Sequence, residues 1–184
     1  IRLDGVNDYL VISNQTAYNH GANFPYIGVG VVLRTKPASA VTILSWGFGA
    51  AGNLFFDLRY DPTAGTGSLG AWVWRFRDTL APATITFTLD DGDAAGAPVG
   101  QYRFIEFTNS LFGSPTATLW SQYAQISNVV SGSGIAYNWN SAQNLFVGVG
   151  TTALNTIGTD FADATIAELR YSVKAAAGMS VLWA

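Results

Sequence analysis

The sequence predicts an all-β fold in which two antiparallel sheets pack face to face as a sandwich. Three observations lead there. Short segments alternate apolar and polar residues with period two, and clusters of Gly, Asn, Asp, Pro and Ser separate them. No window combines helical periodicity with capping signals over a useful length. The 184 residues are 49% apolar. That is enough for one core and too little for two ordinary domains, so a single domain is expected over residues 1–184.

The chain opens on a strand-like pattern, Ile1, Leu3 and then Val6 to Ile12. With no Met before Ile1, either something upstream was removed or the chain is a segment of a longer polypeptide. Residues 27–36 give the clearest early strand. Ile27, Val29, Val31 and Leu33 share one face, and Gly28, Gly30, Val32 and Arg34 the other. Pro37 has no backbone donor and ends the pairing. Residues 41–48 form the next strand, followed by the turn Gly49-Ala50-Ala51-Gly52-Asn53. In 54–60, Leu54, Phe56, Leu58 and Tyr60 alternate with Phe55, Asp57 and Arg59. In 69–78, Trp72, Trp74 and Phe76 oppose Ala71, Val73, Arg75 and Arg77. Further strands are expected at 84–89, 101–109, 115–126, 145–149 and 165–173, and a single helical turn in the Ala-rich stretch 174–179. There is no internal repeat and no dividing linker.

Several of these segments, in this order, carry a resemblance. Leu3-Asp4-Gly5-Val6-Asn7-Asp8-Tyr9-Leu10 is similar to an opening "F-D-G-x-x-D-Y-V", and residues 24–37 to "F-T-I-S-A-W-V-K-P". Gly100 to Phe104 stands where "G-x-W-H-H-V" is usual, residues 116–123 resemble "T-L-x-L-Y-V-D-G", and Leu145 to Gly148 resembles "L-x-I-G". Residues 161–171 resemble "F-x-G-x-I-D-E-V-R-I-Y". The ordered set resembles the concanavalin A-like/laminin G-like jelly-roll superfamily of bacterial and phage surface proteins. Two positions depart from it: Ala167 replaces the usual Asp, and Ser121-Gln122 replaces the "V-D-G" turn. The resemblance implies a jelly-roll sandwich whose terminal segments lie together, with Leu3, Tyr9, Leu169 and Tyr171 in one sheet region. It does not choose among the superfamily's lectins, glycosidases, adhesion modules and virion proteins.

Charge narrows the classes. Only 11% of residues are charged, against about 25% in ordinary domains. The net charge is −3 and no basic run exists, which argues against nucleic-acid binding. No segment is apolar enough for a membrane helix, so no membrane insertion is expected, and the absence of Cys excludes disulfides and thiolate metal sites. A surface of Ser, Thr, Asn, Gln, Gly and Ala suits a protein covered by neighbours or meeting neutral ligands.

Paired-carboxylate chemistry has little to work with. Glucanases of this fold carry "E-x-D-x-E" on one strand; here the two Glu residues, Glu106 and Glu168, are far apart in sequence. Glu168 reads first as an ion-pair partner of Arg170. The lone His20 sits in a polar loop with no triad around it. These points predict a protein that is not an enzyme, with no catalytic residues. The acidic stretch Asp90-Asp91-Gly92-Asp93 has two readings: a solvated turn, or a Ca²⁺ site built by Asp90, Asp91 and Asp93. Asp4 and Asp8 form a weaker candidate of the same kind, or a turn cap. Trp72, Trp74 and Phe76 read as core packing or as a sugar platform. Tyr137, Asn138, Trp139 and Asn140 form a polar loop bearing aromatics, the expected ligand-binding contact.

The function expected from this set is a non-catalytic structural or adhesion module outside a larger assembly, such as a phage virion decoration or fibre protein, contacting glycans. Its partners would be further copies of itself or neighbouring structural proteins, at an extracellular or virion surface. The alternative is a secreted carbohydrate-binding, lectin-like module; a glycoside hydrolase or polysaccharide lyase ranks below both.

Overall fold

In the computed structural model the described residues are 1–13, 26–47, 55–66, 70–77, 84–91, 99–108, 115–121, 124–130, 144–153, 156–172 and 180–183. They form strands and no helix. In chain order the strands are β1 (Leu10–Ile12), β2 (Tyr26–Leu33), β3 (Val41–Gly47), β4 (Phe55–Asp61), β5 (Ala71–Arg77), β6 (Thr84–Asp90) and β7 (Tyr102–Thr108). They continue as β8 (Thr116–Ser121), β9 (Ala124–Val130), β10 (Leu145–Val147), β11 (Thr151–Ala153), β12 (Thr156–Ile157), β13 (Ala164–Ser172) and β14 (Ser180–Trp183). One six-stranded sheet has the order β1-β10-β3-β4-β5-β6, the other β14-β13-β2-β7-β8-β9; β11 and β12 pair separately. Every pairing between these strands is antiparallel. The all-β, two-sheet jelly-roll architecture is the one the sequence predicts.

Period two explains the core. Ile27, Val29, Val31 and Leu33 of β2 point inward, beside Ile105 and Phe107 of β7 and Leu119 of β8. From the facing sheet come Leu44, Trp46, Phe56, Leu58, Tyr60, Trp72, Trp74, Phe76, Phe87 and Leu89. Rings dominate the interface. Phe76 and Phe107 approach across the two sheets with centroids 4.1 Å apart, and Phe87 meets Phe107 edge-on at 5.6 Å. Of the two readings for Trp72, Trp74 and Phe76, core packing holds, because all three are fully buried.

Two expectations about strands are corrected. The segment 115–126, read as one strand, is two: β8 and β9 pair as a hairpin with Ser121 opposite Ala124. A two-residue connection is the shortest that reverses an antiparallel pair. β9 escaped notice because it lies mostly exposed at a sheet edge, with no apolar alternation to read. The opening segment also divides. Arg2 bridges Thr165 and the Leu3 amide donates to the Ala164 carbonyl, beside β13 as expected. Leu10–Ile12, however, joins β10 in the opposite sheet, and Tyr9 meets the rings of Phe146 and Phe161. The break is the turn at Asp4–Asp8. One Asp4 carboxylate oxygen accepts from the amides of Val6, Asn7 and Asp8, and Gly5 there takes a positive φ of 76°.

Candidate functional site

The outward face of the sheet containing β2 gathers polar and aromatic side chains around a strip of bare backbone. The strip is Gly28 and Gly30 of the central strand β2. A Cβ on Gly28 would lie 2.5 Å from the tip of the Phe104 ring; one on Gly30 would lie 2.6 Å from both the Tyr102 hydroxyl and Glu168 Cγ. Neighbouring side chains therefore lean across β2, and only glycine leaves them room.

A β-bulge aims the second half of this set. On β13, Ala164 and Ile166 point into the core, and strict alternation would send Glu168 and Arg170 inward after them. Between Ile166 and Glu168 the register shifts by one residue. Ala167 is the extra residue and is exposed, Leu169 takes the inward position, and Glu168 and Arg170 emerge on the outer face. Glu168 then lies opposite Gly30, and Arg170 opposite Gly28. On the other flank of β2, Glu106 lies opposite Gly28 and Phe104 opposite Gly30. The two Glu residues, 62 positions apart in sequence (168 − 106), thus share one face with a single strand between them.

Each carboxylate is held at both oxygens. Glu106 accepts from the Tyr26 hydroxyl at 3.0 Å and from the Trp120 indole at 2.8 Å. Glu168 accepts from the Tyr102 hydroxyl on one oxygen and from Arg170 Nε at 2.7 Å on the other. The ion pair expected between Glu168 and Arg170 is present. Arg170 also lies over the Phe104 ring, 5.0 Å from its centroid. Burial, reinforced by the Glu106 charge and hydrogen bond, pushes the Tyr26 hydroxyl well above the ordinary tyrosine range. Burial works to lower Arg170, but the hydrogen bond and charge of Glu168 outweigh it and raise it. Tyr26, Tyr102, Phe104, Glu106, Trp120, Glu168 and Arg170 are all half-buried, so the face is ordered by its own contacts and still open to solvent.

The structure treats the sequence-predicted site residues differently. Tyr137, Asn138, Trp139 and Asn140 lie outside the described residues, as do Asp93 and His20. Asp90 and Asp91, read from the sequence as ligands of one ion, turn to opposite sides of the strand end. Asp90 turns outward, where its two oxygens take the amide and hydroxyl of Thr66. Asp91 turns into the sandwich. Its oxygens accept from Arg103 Nε at 2.9 Å and Nη2 at 3.0 Å, and from the Trp72 indole at 3.1 Å. Both side chains of that pair are essentially sealed, at 1% and 0% exposure. Asp91 is thus the counter-ion of a buried arginine, and adjacent carboxylates in an extended chain point opposite ways. Among the described residues no group of three or more His, Cys, Asp or Glu side chains converges as a metal site. Asp4 serves the turn described above, at the rim of a cleft of about 240 Å³ that it shares with Leu33, Thr35, Val41, Phe161 and Asp163.

No protein-family model matches the chain, and no curated protein matches it by sequence. Solved structures do match in fold. NanB, in a structure with Optactamide, superposes with a TM-score of 0.68 at 13% identity, over 95% of this chain and 25% of its own. Full-length tailspike protein 2 of an Escherichia coli O157:H7 bacteriophage gives 0.63 at 14% identity, over 95% of this chain and 22% of its own. The chain therefore spans about a quarter of the length of these two proteins. The CBM40 module of the Ruminococcus gnavus IT-sialidase, bound to α2,3-sialyllactose, gives 0.59 at 15% identity, over 96% of this chain and 92% of its own. At such identities the likeness is one of fold.

Proposed function

We propose that the chain is a non-catalytic glycan-binding module whose receptor is the outward face of the β14-β13-β2-β7-β8-β9 sheet. The observation that carries this is the ring of aromatic, carboxylate and guanidinium groups set over the bare backbone of Gly28 and Gly30. Sugars need flat apolar area for their C–H faces and fixed polar groups for their hydroxyls, and this face offers both on a rigid sheet. The fold is supported as that of such a module by its likeness to the sialidase CBM40, which has nearly the same extent and was solved with sialyllactose.

Non-catalytic is the better reading although Glu106 and Glu168 share the face. Trp120 and Arg170 can only donate, so these carboxylates are engaged as acceptors rather than poised to deliver a proton. The finer reading is display in many copies on a larger particle such as a phage virion, outside the cell. The sparse charge and the likeness to part of a tailspike favour it, since repeated weak sites gain avidity. Tyr137, Asn138, Trp139 and Asn140 are proposed as further glycan contacts, and a calcium ion on Asp90 and Asp93 would have to be held without Asp91.

The experiment is a glycan array followed by calorimetry on the hits, with Trp120→Ala, Tyr26→Phe and Trp139→Ala variants, and an assay for reducing ends or unsaturated products. Binding weakened by Trp120→Ala, without turnover, is expected. Turnover that vanishes in Glu106→Gln or Glu168→Gln would make the chain an enzyme, and an array with no hits would remove the glycan reading.

A further inference from the structure

The centre of the face is not an aromatic platform. Phe104 occupies it, but one side of its ring is covered by the Arg170 guanidinium, 5.0 Å from the centroid. What solvent meets there is the guanidinium, whose side chain is 35% exposed. We propose that Arg170 is a carboxylate-binding subsite and that the ligand is an acidic glycan, one whose sugar carries a carboxylate; this rests on the glycan-binding reading above.

Three features prepare Arg170 for that role. Its plane is fixed from below by Phe104. Its position is fixed from one edge, where Nε and Nη2 both reach the same Glu168 oxygen at 2.7 Å. Glu168 is itself braced by the Tyr102 hydroxyl. The opposite edge of the fork remains: Nη1 has no hydrogen-bond partner among the described residues. A guanidinium has five N–H donors in a rigid plane, and two parallel donors match the two oxygens of a carboxylate. Held this way, the fork has lost its rotamer freedom before the ligand arrives, so binding does not have to supply that ordering.

Charge sets the character of the site. Glu168 offsets Arg170, and Glu106 on the far flank adds a negative charge, so the described part of the face has no net positive field. Recognition of an anion must come from the geometry of the fork and not from long-range attraction. A neutral sugar at this point would leave the outer donors of Arg170 without a charged acceptor, which is how a polar site discriminates against an analogue lacking the group it was built for.

Calorimetry on the full chain tests this with α2,3-sialyllactose, its methyl ester and lactose, and in parallel with trigalacturonate and its methyl ester. The unaltered protein is expected to bind at least one of the two acids at least about tenfold more tightly than the matching ester, the scale of hydrogen bonds to a charged group. Arg170→Gln should erase that difference. Arg170→Lys keeps the charge but loses the fork, and should restore only part of it. Should Arg170→Gln fail to fold, the acid-to-ester ratio of the unaltered chain decides alone. Acid and ester bound alike, or lactose bound as well as sialyllactose, would overturn the acidic-glycan assignment while leaving a neutral-glycan receptor standing. Absence of binding to every glycan, acidic or neutral, would remove both.

Discussion

Removing Asp91 isolates a charge that the fold cannot rehydrate, and the cost follows from its contacts. Arg103 is buried among core side chains, and Asp91 supplies its only carboxylate among the hydrogen bonds described; Gln101, Ser121 and the Tyr102 carbonyl are neutral acceptors. In Asp91→Ala the buried guanidinium loses this sealed pairing, which costs about 3–5 kcal/mol. The Trp72 indole loses its acceptor as well, a further ~1–3 kcal/mol. The sum, about 4–8 kcal/mol, rivals the whole stability of an ordinary domain, roughly 5–15 kcal/mol. Replacing both partners with apolar residues, Asp91→Leu with Arg103→Met, removes the orphaned charge and should recover about half or more of the loss. Urea unfolding followed by tryptophan fluorescence and circular dichroism measures all three variants; at this chain length each kcal/mol moves Tm by about 2–4 °C. A loss under about 1 kcal/mol in Asp91→Ala, or a double variant as weak as the single one, would refute the argument that the pair is sealed and interdependent.

Three further outcomes are expected. Asp91→Asn should lower Tm equally in calcium and in chelator, because the residue answers to Arg103 and not to an ion; a deficit seen only in calcium would return Asp91 to the ion site. Gly30→Val should leave circular dichroism all-β and cost about 1–3 kcal/mol, while abolishing glycan binding by displacing Tyr102 and Glu168; unchanged affinity on titration would show that the face is not the receptor. The hydroxyls of Tyr26 and Tyr60 both ionise above the ordinary tyrosine value of about 10, Tyr26 through burial and then Glu106, Tyr60 through burial and then Asp91. Their contribution to stability is therefore complete below about pH 10 and is lost as pH climbs past the tyrosine value of the unfolded chain. Denaturant titrations at rising pH should show stability falling above pH 10, less steeply in Tyr26→Phe; an identical slope in that variant would contradict the assignment.

The sandwich was legible because its signal is local. In residues 72–76 the rings of Trp72, Trp74 and Phe76 recur at every second position, so the strand and its ring-bearing inner face follow from five residues. The candidate face was not legible, for three separable reasons. Glu106 and Glu168 meet only through β2, a pairing that depends on sheet order and leaves no mark in either segment. Glu168 faces outward because of the bulge at Ala167; the departure from the family pattern at that position was visible, but its effect on direction was not. Alternation sets Gly28 and Gly30 on the face opposite Ile27 and Val29, yet a glycine reads as an absence until the rings above it are seen. The acidic stretch at Asp90 and Asp91 is the opposite case. Three clustered carboxylates look alike as letters, whereas the change of side between Asp90 and Asp91 sends one to Thr66 and the other to Arg103.

The position of β2 has a temporal consequence. It is bonded on one side to β7 and on the other to β13, where Tyr26 lies opposite Ser172, 146 residues later (172 − 26). A ribosome working at about 5–20 residues per second leaves that edge without its partner for roughly 7–30 s. Closing so long a loop is slow, so this sheet is expected to complete only after β13 has emerged. Throughout that interval Tyr26–Leu33, an apolar strand with one side unpaired, is a template for any other extended segment nearby. Where many copies are made side by side, the nearest such segment is the β13 of a sister chain, and its register fits as well as the chain's own. Strand exchange between nascent copies is thus the characteristic way for this topology to go wrong, and equally a route by which copies would become joined.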